Sequence, residues 1–285
     1  MGRHWLIQWR RRPRLRRVRG RARCPVPEDC LHRWTHVHLV GRCQRERRWP
    51  MSPAFDIGSC SEKGPRDYQQ DAAGGESVQG ALVAAVADGL GHYAGSDRAA
   101  QVAVRTVLHH AFLSPAALSL RAGMEAVVEQ AHQEVLREQL ASGHRGLTTL
   151  ALLKVEGARA VVVHVGDSRV YRLRAGHLAQ LTVDHKDSRH VLNRCLGSER
   201  PGTDSTPDVL ETDLQPGDVY LLSTDGVHES LSTGELRAVL EDGASAQVAA
   251  EALVSLALSA GSRDNCTAVV VRAPGTADAS LRGAA

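Results

Sequence analysis

Beyond residue 50 the chain alternates short runs of Val, Ala and Leu with longer amphipathic stretches. Ala81–Ala87, Leu150–Val155, Ala160–Val165, Val219–Ser223 and Cys266–Val271 are nearly unbroken apolar runs bounded by turn residues. That pattern predicts strands buried on both faces. Gly176, between Val170–Arg174 and Leu178–Leu181, reads as a hairpin turn, as does Glu156-Gly157 between its flanking strands. Ser96–Leu113, Leu118–Leu140 and Ala246–Ala260 have helical length and spacing. Ser245 is placed to cap the last, and Ser114-Pro115 breaks the chain after the first. Hairpin-joined strands with a few long helices predict a layered α+β fold, because helices must cover the outer faces of the sheets.

Composition changes this picture only at the N-terminus. The 285 residues are 42% apolar and 24% charged, an ordinary globular balance, and the net charge is +3. Residues 1–50, however, hold fifteen Arg against Glu28, Asp29 and Glu46, a net +12 that leaves −9 for the remainder. The segment also holds all four Trp and Cys24, Cys30 and Cys43, with no Ser and no traceable periodicity. It is expected to be a disordered basic extension, dispensable for folding and catalysis, with Met51 as a candidate native start. A nucleic-acid or lipid-binding arm is the competing reading, and the Cys and His spacing matches no paired zinc pattern. Residues 51–273 are expected to form one domain and 274–285 a fraying tail. No run reaches the roughly 18 apolar residues of a membrane span. Cys60, Cys195 and Cys266 are scattered, which suggests reduced thiols and a cytoplasmic setting.

The chemistry gathers at strand edges. Asp88-Gly89, Gly166-Asp167-Ser168 and Asp225-Gly226 each end an apolar run, Asp264-Asn265 leads into the last one, and Asp71 follows the loop 66–70. A single Asp-Gly after a strand is ordinarily just a turn. Several carboxylates at the ends of buried strands repel one another and lose hydration unless a cation sits between them. Oxygen donors without Cys–His pairs suit a hard ion, Mg²⁺ or Mn²⁺, rather than zinc.

Read in order, Arg66-x-x-x-Gln70-Asp71, Ala87-Asp88-Gly89-Leu90-Gly91-His92, Gly146-Leu147-Thr148-Thr149, Gly166-Asp167-Ser168-Arg169, Thr224-Asp225-Gly226 and Arg263-Asp264-Asn265 resemble the metal-dependent Ser/Thr protein phosphatases. This is the PPM or protein phosphatase 2C-like family in its compact bacterial form. Six motifs in the right order, over roughly residues 54–273, make the resemblance specific. It implies a four-layer α-β-β-α sandwich of two antiparallel sheets flanked by helices. It also implies two Mn²⁺ or Mg²⁺ ions held by Asp71, Asp88, Asp225, Asp264 and the carbonyl of Gly89. By the same resemblance Arg66 binds the phosphate and His92 protonates the leaving oxygen, while Asp167 with Glu229 holds a weak third ion. The alternatives are that His92 is a surface loop residue, that Asp167 makes turn hydrogen bonds, and that Glu229 is solvated.

Three departures from the family pattern stand out. Gln69-Gln70-Asp71 replaces the usual Asn-Gln-Asp, the glycine loop before His92 is one Gly shorter, and only a short polar segment lies between Asp184-His185 and Glu211 where many members carry a longer flap. The expected function is hydrolysis of phosphoserine and phosphothreonine in phosphoproteins by a metal-activated water, opposing a Ser/Thr kinase. The expected protein is a cytoplasmic monomer with no nucleic-acid or membrane requirement. The alternative is a catalytically weak phosphoprotein-binding regulator on the same fold, and a phosphatase of an anti-sigma-factor switch is a third reading. Retention of the four core aspartates and Arg66 disfavours the regulator.

Overall fold

The computed structural model describes residues 55–91, 93–113, 119–188, 191–199 and 203–275. The expectations for residues 1–50, Met51, His92, Ser114-Pro115 and the tail from 276 lie outside the described residues.

Two five-stranded sheets, antiparallel throughout, make up the body of the fold. The first orders β1 (Asp56–Glu62), β12 (Cys266–Arg272), β11 (Val219–Ser223), β6 (Arg169–Arg174) and β7 (His177–Gln180). The second orders β10 (Asp208–Asp213), β5 (Arg159–Val165), β4 (Leu150–Glu156), β3 (Ala81–Asp88) and β2 (Asp71–Val78). A small hairpin, β8 (Lys186–Ser188) with β9 (Val191–Leu192), stands apart from both.

The unbroken apolar runs are explained by burial on two sides. On β3, Leu82, Ala84 and Val86 point to the other sheet and meet Tyr220, Leu222, Val269 and Val271. The alternate residues Val83, Ala85 and Ala87 point outward against α1 (Ser96–His110) and α2 (Leu120–Ser142). On the first sheet Leu221, Ala268 and Val270 face outward against α4 (Thr233–Glu241) and α5 (Ala246–Ser259). Three cores therefore separate four layers, helix, sheet, sheet, helix, as expected. The strand period of two is preserved, but both faces of the central strands are apolar, so alternation is invisible in the sequence.

Helix ends follow local chemistry. Ser119 and Ser245 accept hydrogen bonds from the backbone N–H of Ala122 and Val248, and Ser232 with Glu235 forms a reciprocal capping box for α4. The edge strands β2 and β10 and the helix α4 have no counterpart in the sequence expectation. Where a long flap is often found, the described residues hold the β8–β9 hairpin.

Candidate metal centre and active site

Every acidic motif falls at one end of the two sheets. Asp71 opens β2 and Asp88 closes β3, and the two are direct cross-strand partners. Asp225 follows β11 and begins the short helix α3 (Asp225–His228), while Asp264 precedes the neighbouring strand β12. Asp167 sits where the chain crosses from β5 in one sheet to β6 in the other. A single cleft of about 400 Å³ is lined by Asp88, Asp167, Asp225 and Asp264 together with Arg66 and Gly89.

Local packing fixes these groups. Gly89 admits no side chain, since a Cβ there would stand 2.5 Å from the Ser96 carbonyl oxygen and 2.8 Å from that of Gln70. Gly226 is equally confined, 2.0 Å from the Asn265 oxygen by the same measure. The Gly-Leu-Thr-Thr motif, to which the sequence assigned no role, clamps Asp88. Thr149 N–H and Thr148 Oγ1 donate to the Asp88 carbonyl at 2.9 and 3.0 Å, and Asp88 N–H donates to Thr149 Oγ1 at 2.9 Å. Thr224 joins the two sheets by donating its hydroxyl to Asp71 Oδ2 at 2.8 Å.

Asn265 orders the loop that carries Arg66. Its Oδ1 accepts from Gln70 N–H at 2.8 Å, and its Nδ2 donates to the carbonyls of Lys63 and Tyr68 at 2.7 and 3.0 Å. Arg66, half exposed, donates through Nε to the Arg263 carbonyl at 2.9 Å and through Nη2 to Asp264 Oδ2 at 2.5 Å. The phosphate-binding candidate and one ligand candidate are thus in direct contact.

The electrostatics are those of crowded carboxylates. Burial, opposed by hydrogen bonds from threonine hydroxyls and reinforced by Asp264, pushes Asp71 up to about 6. Burial, with Asp167, Asp264 and Asp71 beside it, pushes Asp225 up to about 7. Asp88 is raised by burial and then by Asp71, Asp225, Asp167 and Asp264. Asp225 Oδ1 is buried with no hydrogen-bond partner. Such an oxygen is costly unless a cation meets it. An all-oxygen donor set with an orphaned carboxylate oxygen fits a hard divalent ion. Among the described residues no three of these carboxylates bring oxygens within 4.8 Å of one another, so the arrangement is broader than a cage for one ion.

The group that does gather so tightly is His164, His185 and Asp208. His164 Nε2, both His185 nitrogens and both Asp208 oxygens already have partners. His164 Nε2 lies 2.8 Å from the Val183 carbonyl, His185 Nδ1 accepts from Gly166 N–H at 3.1 Å, and Arg194 Nη1 stands 3.3 Å from His185 Nε2. A guanidinium beside the ring makes this a packed ion-pair cluster, not a metal site.

Asp167 and Glu229 are brought together, but around a side chain that belongs to none of the sequence motifs. Lys186 Nζ lies 3.4 Å from Asp167 Oδ2, 3.1 Å from Glu229 Oε1 and 3.3 Å from Asp184 Oδ2. Burial opposes the ammonium, yet Asp167, Glu229 and Asp184 together lift Lys186 above its ordinary value. Arg169 in turn holds Asp184 through two parallel hydrogen bonds of 2.8 and 2.7 Å. Asp167, Arg169, Asp184 and Glu229 all stand out in the sequence, but Lys186, which joins them, does not.

Two facing antiparallel sheets with a carboxylate-lined cleft at their ends define a phosphatase-2C-type sandwich. A family profile described as "Protein phosphatase 2C" matches residues 65–258. The chain belongs to the protein phosphatase 2C family. It is 29% identical over 213 residues to the serine/threonine protein phosphatase PstP of Mycobacterium tuberculosis, covering 67% of this chain and 40% of that protein. It is 27% identical over 232 residues to the serine/threonine phosphatase stp of Listeria monocytogenes, covering 72% and 90% respectively. The crystal structure of the PstP catalytic domain in complex with two manganese ions superposes with a TM-score of 0.67 at 26% identity, covering 76% of this chain and 97% of that one. The aligned part spans well under half the length of the curated PstP proteins.

Proposed function

We infer that the chain is a metal-dependent phosphatase acting on phosphoserine and phosphothreonine in proteins, with residues 51–273 as its catalytic domain. The observation that carries this reading is the set of partly to fully buried carboxylates gathered at the sheet ends, with Asp225 Oδ1 unpartnered and Arg66 at the rim. Asp71, Asp88, Asp225 and Asp264, with the Gly89 carbonyl, are the residues that would hold two divalent ions, Mn²⁺ or Mg²⁺. When bound, such a pair supplies an acidified water and neutralises phosphate charge.

The chain's own residues do the rest. Arg66 offers a planar fork to phosphate oxygens, which Lys cannot reproduce. Its bond to Asp264 and to the Arg263 carbonyl preorients the guanidinium before substrate arrives. Val191, Leu192, Cys195 and Thr203 line the same cleft and would contact the peptide around the phosphorylated residue. We assign the leaving-group proton to His92 on the family resemblance alone. No helix among the described residues is long and apolar enough to cross a membrane. A cytoplasmic monomer opposing a Ser/Thr kinase completes the reading.

The test is turnover of a phosphothreonine peptide by the purified full chain. Mn²⁺ or Mg²⁺ should support release of phosphate and EDTA should abolish it; activity that survives exhaustive chelation would refute the mechanism. Metal-supported binding of phosphopeptide without turnover would select the regulator instead.

A further inference from the structure

We propose that Lys186 is a built-in cation that takes the place of a third metal ion between Asp167 and Glu229. This rests on the phosphatase reading for its significance, but the geometry stands by itself. The lysine side chain is only 16% exposed, Asp167 12% and Glu229 33%, and Nζ is within 3.4 Å of both carboxylates.

The position of the lysine is set by backbone, not by a wandering side chain. His185 N–H donates to the Gly166 carbonyl at 2.9 Å, and Gly166 N–H donates back to His185 Nδ1 at 3.1 Å. Residue 186 is therefore fastened beside residue 167. The hairpin pairing of Lys186 with Leu192 and the hydrogen bond from Asn193 N–H to the His185 carbonyl at 3.0 Å hold the other side. Charge accounting points the same way. Asp184 also touches the ammonium, but its two oxygens are engaged by Arg169. The lysine charge is left to Asp167 and Glu229, the pair that the family resemblance offers to a third ion.

A divalent ion at that pair would have to displace the ammonium or bind beside it. Displacement would strand a largely buried lysine beside the carboxylates it now pairs with, and binding beside it sets two cations against each other at a spot only partly open to water. Lys186 instead supplies one fixed positive charge at the cleft edge, independent of metal concentration. The residues that resemble a third metal site in sequence do not fit that ion in this chain.

The experiment counts ions, not turnover. The full chain is titrated with Mn²⁺, with free Mn²⁺ followed by electron paramagnetic resonance and heats by calorimetry. The variants are Lys186→Met, Asp167→Asn, Lys186→Met/Asp167→Asn and Asp225→Asn. The wild-type chain should show only the ions that Asp225→Asn disturbs, with no weaker class sensitive to Asp167→Asn. Lys186→Met should gain one further Mn²⁺, with a dissociation constant on the order of 10⁻⁴–10⁻³ M as for oxygen sites with few ligands, and the double variant should lose it again. A weak wild-type ion that disappears in Asp167→Asn would overturn the proposal even if Lys186→Met failed to fold, and so would a folded Lys186→Met that gains no ion. Loss of all Asp225-dependent binding in the wild type would instead strike the phosphatase reading, a separate result on separate sites.

Discussion

At the scale of single residues, the repulsion among the site carboxylates makes a prediction with a definite sign. Asp225 and Asp71 sit at about 7 and about 6 in the folded chain without metal, burial being the first cause, against about 3.9 for an unfolded Asp. The folded state therefore binds more protons than the unfolded state between about pH 4 and pH 7, and stability must fall as pH rises through that window. In EDTA the melting temperature should decline from pH 5 to pH 8, and Mn²⁺ should remove most of the decline. Asp225→Asn should cut kcat by orders of magnitude, because it removes a carboxylate that we propose holds a metal ion. In EDTA at pH 8 the same variant should gain stability, on the order of 1–3 kcal/mol, since it deletes a charge that burial disfavours first and its acidic neighbours second. A destabilised Asp225→Asn in EDTA would mean that the carboxylate is held by something other than a cation.

Elements explain how the residues reach one another, and which of them the sequence could disclose. Asn265 links the start of β12 to the loop 63–70 by three hydrogen bonds, so the strand end sets where Arg66 lies. Asn265→Ala leaves two carbonyls and an amide short of partners and should cost about 2–4 kcal/mol, read in urea denaturation. Its kinetic signature should be a raised KM with a smaller change in kcat; an unchanged KM would show that the loop holds Arg66 without it. The interior strands β3, β4, β5, β11 and β12 were legible because burial on both faces leaves long apolar runs. The edge strands were not: β2 reads DAAGGESV and β10 reads DVLETD, compositions that name no strand, and both are placed by cross-strand pairing at long sequence separation. Helix α4 is short, and its one clear sequence sign is the capping-box spacing of Ser232 and Glu235. The carboxylate set was legible because each Asp sits beside a strand end. Lys186 was not, since Asp167 and Glu229 reach it only through tertiary structure, 19 and 43 residues away along the chain.

For the whole molecule, the question is which part of the chain closes the fold. Among the described residues the three cores are built from positions between Phe55 and Val271, with the inter-sheet core joining Leu82, Val86, Tyr220, Leu222 and Val269. Strand β1 is locked along its whole length onto β12 and completes the first sheet at residue 56. None of the six family motifs lies upstream of Arg66. The first fifty residues bring a net +12 to a remainder of −9, so any effect they exert through charge on the proposed activity should weaken as salt screens it, over about 8–10 Å at ordinary ionic strength. We predict that residues 51–285 fold without them, with a melting temperature within a few degrees of the full chain, because the cores of the described residues are assembled from position 55 onward. At physiological salt kcat/KM should match, and at low salt a difference is expected only with strongly charged substrates. An insoluble truncation, or one several-fold less active on a phosphothreonine peptide at physiological salt, would show that the basic segment contributes to the working enzyme by more than its charge.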